Sequence, residues 1–142
     1  MTEQTMTINP AATDFIQRTG IALQAYVPRA AAEVFALLVV TPEPLAIDEI
    51  ATALRHSRAG VASSIRILDS HDVIARISRP GERRDLYDLR EDAFPRLVAR
   101  VSQRLRELAD AARETTCEAP RLHEMMLTFE RASASLDPRR PS

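Results

Sequence analysis

Lysine and tryptophan are both missing from this chain of 142 residues, so all 19 basic side chains are arginine. Aromatic residues amount to 4%, which leaves the core to aliphatic packing. The lone cysteine, Cys117, excludes an internal disulfide framework, as in a reducing compartment, and reads as a passive thiol in a loop. No basic segment precedes an apolar run near the N-terminus, so nothing there looks like a signal peptide. The longest apolar run, Val34 to Val40, is far too short to span a bilayer. A cytoplasmic chain without a membrane partner is expected. His56, His71 and His123 are scattered, none at ligand spacing from another or from Cys117, so no metal is expected. There is no glycine-rich phosphate loop and no nucleophile motif. No cofactor and no catalytic set are therefore expected, and the chain does not read as an enzyme.

What is present is an uneven charge. The net charge is −1. Between Arg55 and Arg90, however, eight arginines face five acids, a balance of +3, while the remaining eleven arginines and fifteen acids give −4. Positive charge is concentrated in one quarter of the chain, and arginine suits bidentate recognition of phosphate and guanine.

Periodicity supplies the elements. Asn9-Pro10 reads as an N-cap followed by proline at the first helical position, and Phe15, Ile16, Thr19, Leu23 and Tyr26 carry a helix to about Ala25, with Gly20 as its weak point. Pro28 opens a second helix whose apolar positions include Val34, Phe35, Leu38 and Val39. Thr41-Pro42-Glu43-Pro44 ends it. A short helix follows from Asp48, its expected N-cap, to Leu54. After a tight turn, Ser57 caps a fourth helix to about Ser70, with Val61, Ile65 and Leu68 on one apolar stripe. The period then changes. Val73 to Ser78 and Leu86 to Leu89 lean towards strand, and the charged turn between them, Arg79 to Asp85, makes a hairpin with a basic tip. From Ala93 onwards Phe94, Leu97, Val98, Val101, Leu105, Leu108 and Ala112 repeat at near-heptad spacing. The chain breaks near Pro120, and a last helix carries Leu122, Met125, Met126, Phe129 and Leu136.

The fold class is mainly α with a small β-hairpin wing: a winged helix-turn-helix flanked by terminal dimerisation helices. Its parts are a disordered tail over 1–9, N-terminal dimerisation and supporting helices over 10–41, and the winged core over 42–92. Dimerisation helices over 93–136 and a disordered tail over 137–142 complete it. In such an element the first short helix braces the second, whose exposed N-terminal half enters the major groove of double-stranded DNA. Ala59, Gly60, Ala62 and Ser63 are small enough to let that helix sit close to the base edges. Arg58 and Arg66 reach guanine or phosphate, and the helix start at Ser57 offers free N–H groups to a phosphate. The hairpin tip places Arg79, Arg83 and Arg84 along the backbone or in the minor groove.

The segment PLAIDEIATALRHSRAGVASSIRILDSHDVIARISRPGERRDLYDLREDAF resembles the winged-helix core of the MarR superfamily, and more narrowly its GbsR-like branch, as does VPRAAAEVFALLVV upstream. The likeness runs roughly from Phe15 to Phe94. Ser57, Arg58, Ser63 and Arg66 match the family's recognition helix, and Arg79, Arg83 and Arg84 its wing. Arg55 and His56 depart from it, standing where the family has glycine and valine. Ala59-Gly60 and Ala62 replace Gly-Ser and Ser.

The resemblance implies a DNA-binding transcriptional regulator, commonly a repressor, dimeric through its terminal helices and with room for a small-molecule effector. Phe15, Leu23, Phe94, Val98, Val101, Leu105, Leu108, Leu122, Met126 and Phe129 are the expected dimer contacts. A homodimer would read a pseudo-palindromic operator with half-sites about 10 bp apart. A winged helix used as a protein-interaction module is the alternative, because fold alone does not fix function.

Overall fold

The computed structural model describes residues 8–137, so the tails expected at 1–9 and 137–142 fall almost wholly outside the described residues. Six helices and three short strands follow one another: α1 (Pro10–Leu23), α2 (Arg29–Val40), β1 (Leu45–Ala46), α3 (Ile47–Leu54), α4 (Arg58–Ser70), β2 (Ile74–Ile77), β3 (Leu86–Leu89), α5 (Ala93–Glu114) and α6 (Pro120–Leu136). They form two compact units that divide after Glu91.

In the first unit α2 is the central element. Ala31, Ala32, Val34, Phe35, Ala36, Leu37 and Leu38 are all buried, because α1, α3, α4 and β3 pack around it. A helix surrounded in this way is apolar on nearly every side, unlike a surface helix with one stripe. Thr41 closes it by donating its hydroxyl to the Leu37 carbonyl at 2.6 Å. The helix α1 starts as the sequence indicates, with the Asn9 side chain accepting from the Ala12 N–H at 2.8 Å and Pro10 in the first turn. Gly20 is no weak point. It is buried where α1 meets α2, and a Cβ there would lie 3.1 Å from Glu33 Cγ and 3.3 Å from Arg29 Cγ.

Three antiparallel strands form the sheet in the order β1-β3-β2. Leu45 and Ala46 pair with Tyr87 and Leu86, and the hairpin register sets Ile74 opposite Leu89 and Ile77 opposite Leu86. The strand β1 is two residues long, too short to leave a periodic signal. Its presence moves the start of α3. The helix begins at Ile47 rather than after Asp48, and Ala46, not Asp48, occupies the N-cap position. Ala46 has no capping side chain, so its own N–H is satisfied by the Glu49 carboxylate at 3.0 Å. That is one half of a capping box, and it leaves Asp48 free for another partner.

The second unit is a helical pair. Small residues let α5 and α6 approach closely, and the buried Ser102 and Ser133 each donate a hydroxyl to the other's carbonyl at 2.9 Å. Ala109 and Ala112 are buried on α5 as well. The 4–3 stripe on α5 points elsewhere. Phe94, Val98, Val101 and Leu108 are exposed and Leu105 is half-buried, while Leu122, Met126 and Phe129 of α6 are half-buried. Among the described residues no helix is long and apolar enough to cross a membrane.

Filling the α1–α2 crossing should be harmful. Gly20→Leu is expected to lower the unfolding free energy by about 1–3 kcal/mol through overpacking against Glu33 and Arg29, read as a lower urea midpoint.

Candidate nucleic-acid interface

The candidate reading surface is built from α3, the turn after it, α4 and the β2–β3 hairpin. The sequence places α4 by a cap at one end and an apolar stripe along one side. Ser57 Oγ accepts from the Gly60 N–H at 3.0 Å. Val61, Ser64, Ile65 and Leu68 are buried against the unit. Ala59, Ser63 and Arg66 recur at helical spacing on the opposite side and are exposed, with Arg58 exposed at the N-terminus and Gly60 and Ala62 half-buried. The helix thus presents a face of short side chains with an arginine towards each end.

The turn between α3 and α4 has a defined geometry. The His56 N–H donates to the Ala51 carbonyl at 3.0 Å and the Arg55 N–H to the Thr52 carbonyl at 3.4 Å, with Arg55 in the left-handed region at φ 58°. These bonds make a Schellman motif, in which the left-handed position usually belongs to glycine. An L side chain there costs on the order of 1–2 kcal/mol. Asp72 also has positive φ, at 59°, but aspartate tolerates that region through its short polar side chain. His56 anchors the turn from the other side: its Nε2 lies 2.9 Å from Glu33 Oε2 of α2. Glu33 also accepts from Arg29 Nε at 3.2 Å.

The wing turns through Arg79-Pro80-Gly81-Glu82, closed by the Glu82 N–H donating to the Arg79 carbonyl at 3.1 Å. Gly81 has φ +83° directly after a proline, the pattern of a type II turn. Beyond it the arginines divide into two groups. Arg79 and Arg83 are exposed and form no ion pair among the described residues, and the same holds for Arg58 and Arg66 of α4. Arg84 is held on two sides. It donates to Glu82 Oε1 at 2.9 Å and to both Asp48 oxygens at 3.2 and 3.3 Å, which ties the wing to the start of α3. Arg76 is hydrogen-bonded to Asp85 across the hairpin. The hydrogen bonds from Arg84 hold the Glu82 carboxyl down at about 2, and the same pairing keeps Arg84 more basic than usual.

All ten sequence-predicted reading residues therefore lie on α4 with its N-cap and on one hairpin, and among their arginines Arg84 alone forms an ion pair among the described residues. The Asp48–Arg84 and Glu33–His56 contacts join residues 36 and 23 positions apart, and no local spacing announces them. The second unit contains a groove of about 300 Å³ between α5 and α6, where Arg113 pairs with Asp110 and Glu130 at 2.7 Å each. Among the described residues no group of His, Cys, Asp or Glu side chains is arranged to hold a metal ion.

Sheet order, the two short helices and the hairpin define a winged helix-turn-helix. Comparison with known proteins agrees with that class. The chain is 36% identical over 97 residues to the HTH-type transcriptional regulator MmpR5 of Mycobacterium tuberculosis. That match spans 63% of this chain and 59% of the relative, so the likeness covers somewhat more than half of the relative's length. A solved structure described as a transcriptional regulator superposes with a TM-score of 0.68 at 28% identity, over 89% of this chain and 93% of the other. No family model matches the sequence.

The Glu82–Arg84 pairing has a pH signature. Because the folded carboxyl sits below its ordinary value of 4.5, its contribution to wing stability is present above that pH and is lost as pH falls towards about 2. Side-chain carboxyl NMR should show Glu82 titrating at about 2, and Arg84→Gln should return it towards 4.5.

Proposed function

We propose that this chain is a sequence-specific DNA-binding transcriptional regulator of the MarR-superfamily type, in its GbsR-like branch. It acts as a homodimeric repressor on a pseudo-palindromic operator, in the cytoplasm where its DNA lies. The observation that carries the reading is the set of exposed guanidinium groups at Arg58, Arg66, Arg79 and Arg83. No acid among the described residues engages any of them, and they lie on a capped helix and an adjacent wing. Charges left uncompensated in the free protein are available to phosphate, and the small residues between Arg58 and Arg66 allow close approach to base edges. The names carried by MmpR5 and by the superposed structure support the transcriptional-regulator part of this reading.

Roles follow from position. Arg58 and Arg66 read base edges or flank them, Ser57 and the first N–H groups of α4 take a phosphate, and Arg79 and Arg83 follow the backbone or the adjacent minor groove. Arg84 sets the wing's position through Asp48. Dimerisation uses the exposed stripe of α5, with Phe15 and Leu23 of α1 and Leu122, Met126 and Phe129 of α6 contributing. Four large apolar side chains in a 4–3 repeat are more than a lone helix leaves to water without a partner. A small-molecule effector, which the family resemblance implies, belongs to the proposal as well.

A gel-shift with the DNA upstream of the chain's own coding sequence, in the presence of competitor, tests the reading. Arg58→Ala or Arg66→Ala should cost about 1–3 kcal/mol and relax base preference, whereas Arg83→Ala should weaken binding to all sequences alike. Wild-type affinity in all three variants would overturn the assignment of this surface. Val101→Arg should convert the dimer to a monomer by sedimentation and weaken operator binding in parallel. A wild-type chain that sediments as a monomer at micromolar concentration would overturn the dimer.

A further inference from the structure

Between α3 and α4 a left-handed backbone position carries a side chain poorly suited to it. A Schellman turn favours glycine there, and asparagine is the next best choice. This chain has Arg55, at φ 58°, with its side chain exposed and without a hydrogen-bond or ion-pair partner among the described residues. The guanidinium compensates no acid among the described residues. Nothing within the fold accounts for arginine at this position. An unfavourable backbone conformation held at a surface position is a mark of function when the fold offers no other reason for it.

Its location supplies the reason. Arg55 sits three residues before Arg58, at the entrance to the recognition helix and on the same turn that His56 fixes to Glu33. We infer that Arg55 is a further phosphate-contacting residue, which adds one backbone contact at the turn to those made by α4 and the wing. This rests on the DNA-binding reading and extends it. A phosphate contact gives affinity without sequence preference, and each such contact released should change the salt dependence by about one unit of slope.

The test uses the full chain and two probes, the duplex from upstream of its own coding sequence and a short duplex of arbitrary sequence. Arg55→Asn and Arg55→Gly ease the left-handed backbone, so both should raise the urea midpoint. Both should also weaken binding about 3–10-fold on either duplex and reduce the slope of log affinity against log salt by about one. Arg55→Lys keeps the charge and should retain most of the affinity with no gain in stability. Opposite movements of stability and affinity separate this role from a merely structural one. If Arg55→Asn and Arg55→Gly bind both duplexes with wild-type affinity and slope while Arg58→Ala and Arg83→Ala are weakened, the inference fails and the reading of the surface stands. If the wild-type chain binds neither duplex, the reading itself fails and this inference with it.

Discussion

The turn that leads into α4 is held by a contact made outside both α3 and α4. Glu33, on the central helix α2, holds the His56 ring at 2.9 Å, and His56 is the residue just before the cap of α4. The ring's other nitrogen is buried without a partner, so the Glu33 carboxylate is the ring's sole hydrogen-bond partner among the described residues. Taking it away would leave both polar atoms of the ring unmatched at a half-buried site, the situation that costs most in polar burial. Gly20 belongs to the same arrangement, because a Cβ there would press on Glu33 Cγ at 3.1 Å and on Arg29 Cγ at 3.3 Å. One acid thus links the supporting helices to the element that faces outward.

Around that frame the arginines are distributed by job. Arg76 and Arg84 are matched to acids of the hairpin and of α3, and they shape the wing. Arg58, Arg66, Arg79 and Arg83 have no such match among the described residues. Ordinary surface ion pairs contribute little to stability, so the division matters less for folding than for the field the surface presents. A basic side chain already neutralised by two carboxylates adds little attraction for an anion, whereas an unmatched one adds a full charge. The excess of +3 across this quarter of the chain therefore understates the contrast within it.

Much of this was legible in the sequence, for local reasons. Asn9-Pro10, Ser57 and the apolar spacing of α4 mark helix starts and faces through interactions three or four residues apart, and Leu86–Leu89 is bounded by charge on one side and by Arg90 on the other. The turn at Pro80-Gly81 could be read from residue types alone. What stayed hidden was non-local or very short. The two-residue strand β1 has no period to detect, and because of it Asp48 is a wing partner rather than a cap. The roles of His56 and Arg84 depend on partners 23 and 36 positions away. Separating the inner and outer faces of α5 required knowing that Ser102 and Ala109, not the larger Val101 and Leu108, meet α6.

The link from Arg84 to Asp48 and Glu82 has a kinetic consequence. A hairpin loose in solution would have to be ordered at the moment of association, and that ordering would slow or weaken capture of a partner. Here Arg84, two residues before β3, is bound to Asp48 of α3 in the folded chain, while Arg79 and Arg83 form no ion pair among the described residues. Under the proposed function, part of the wing's ordering is made before any encounter, and Arg79 and Arg83 are the wing arginines left to settle then.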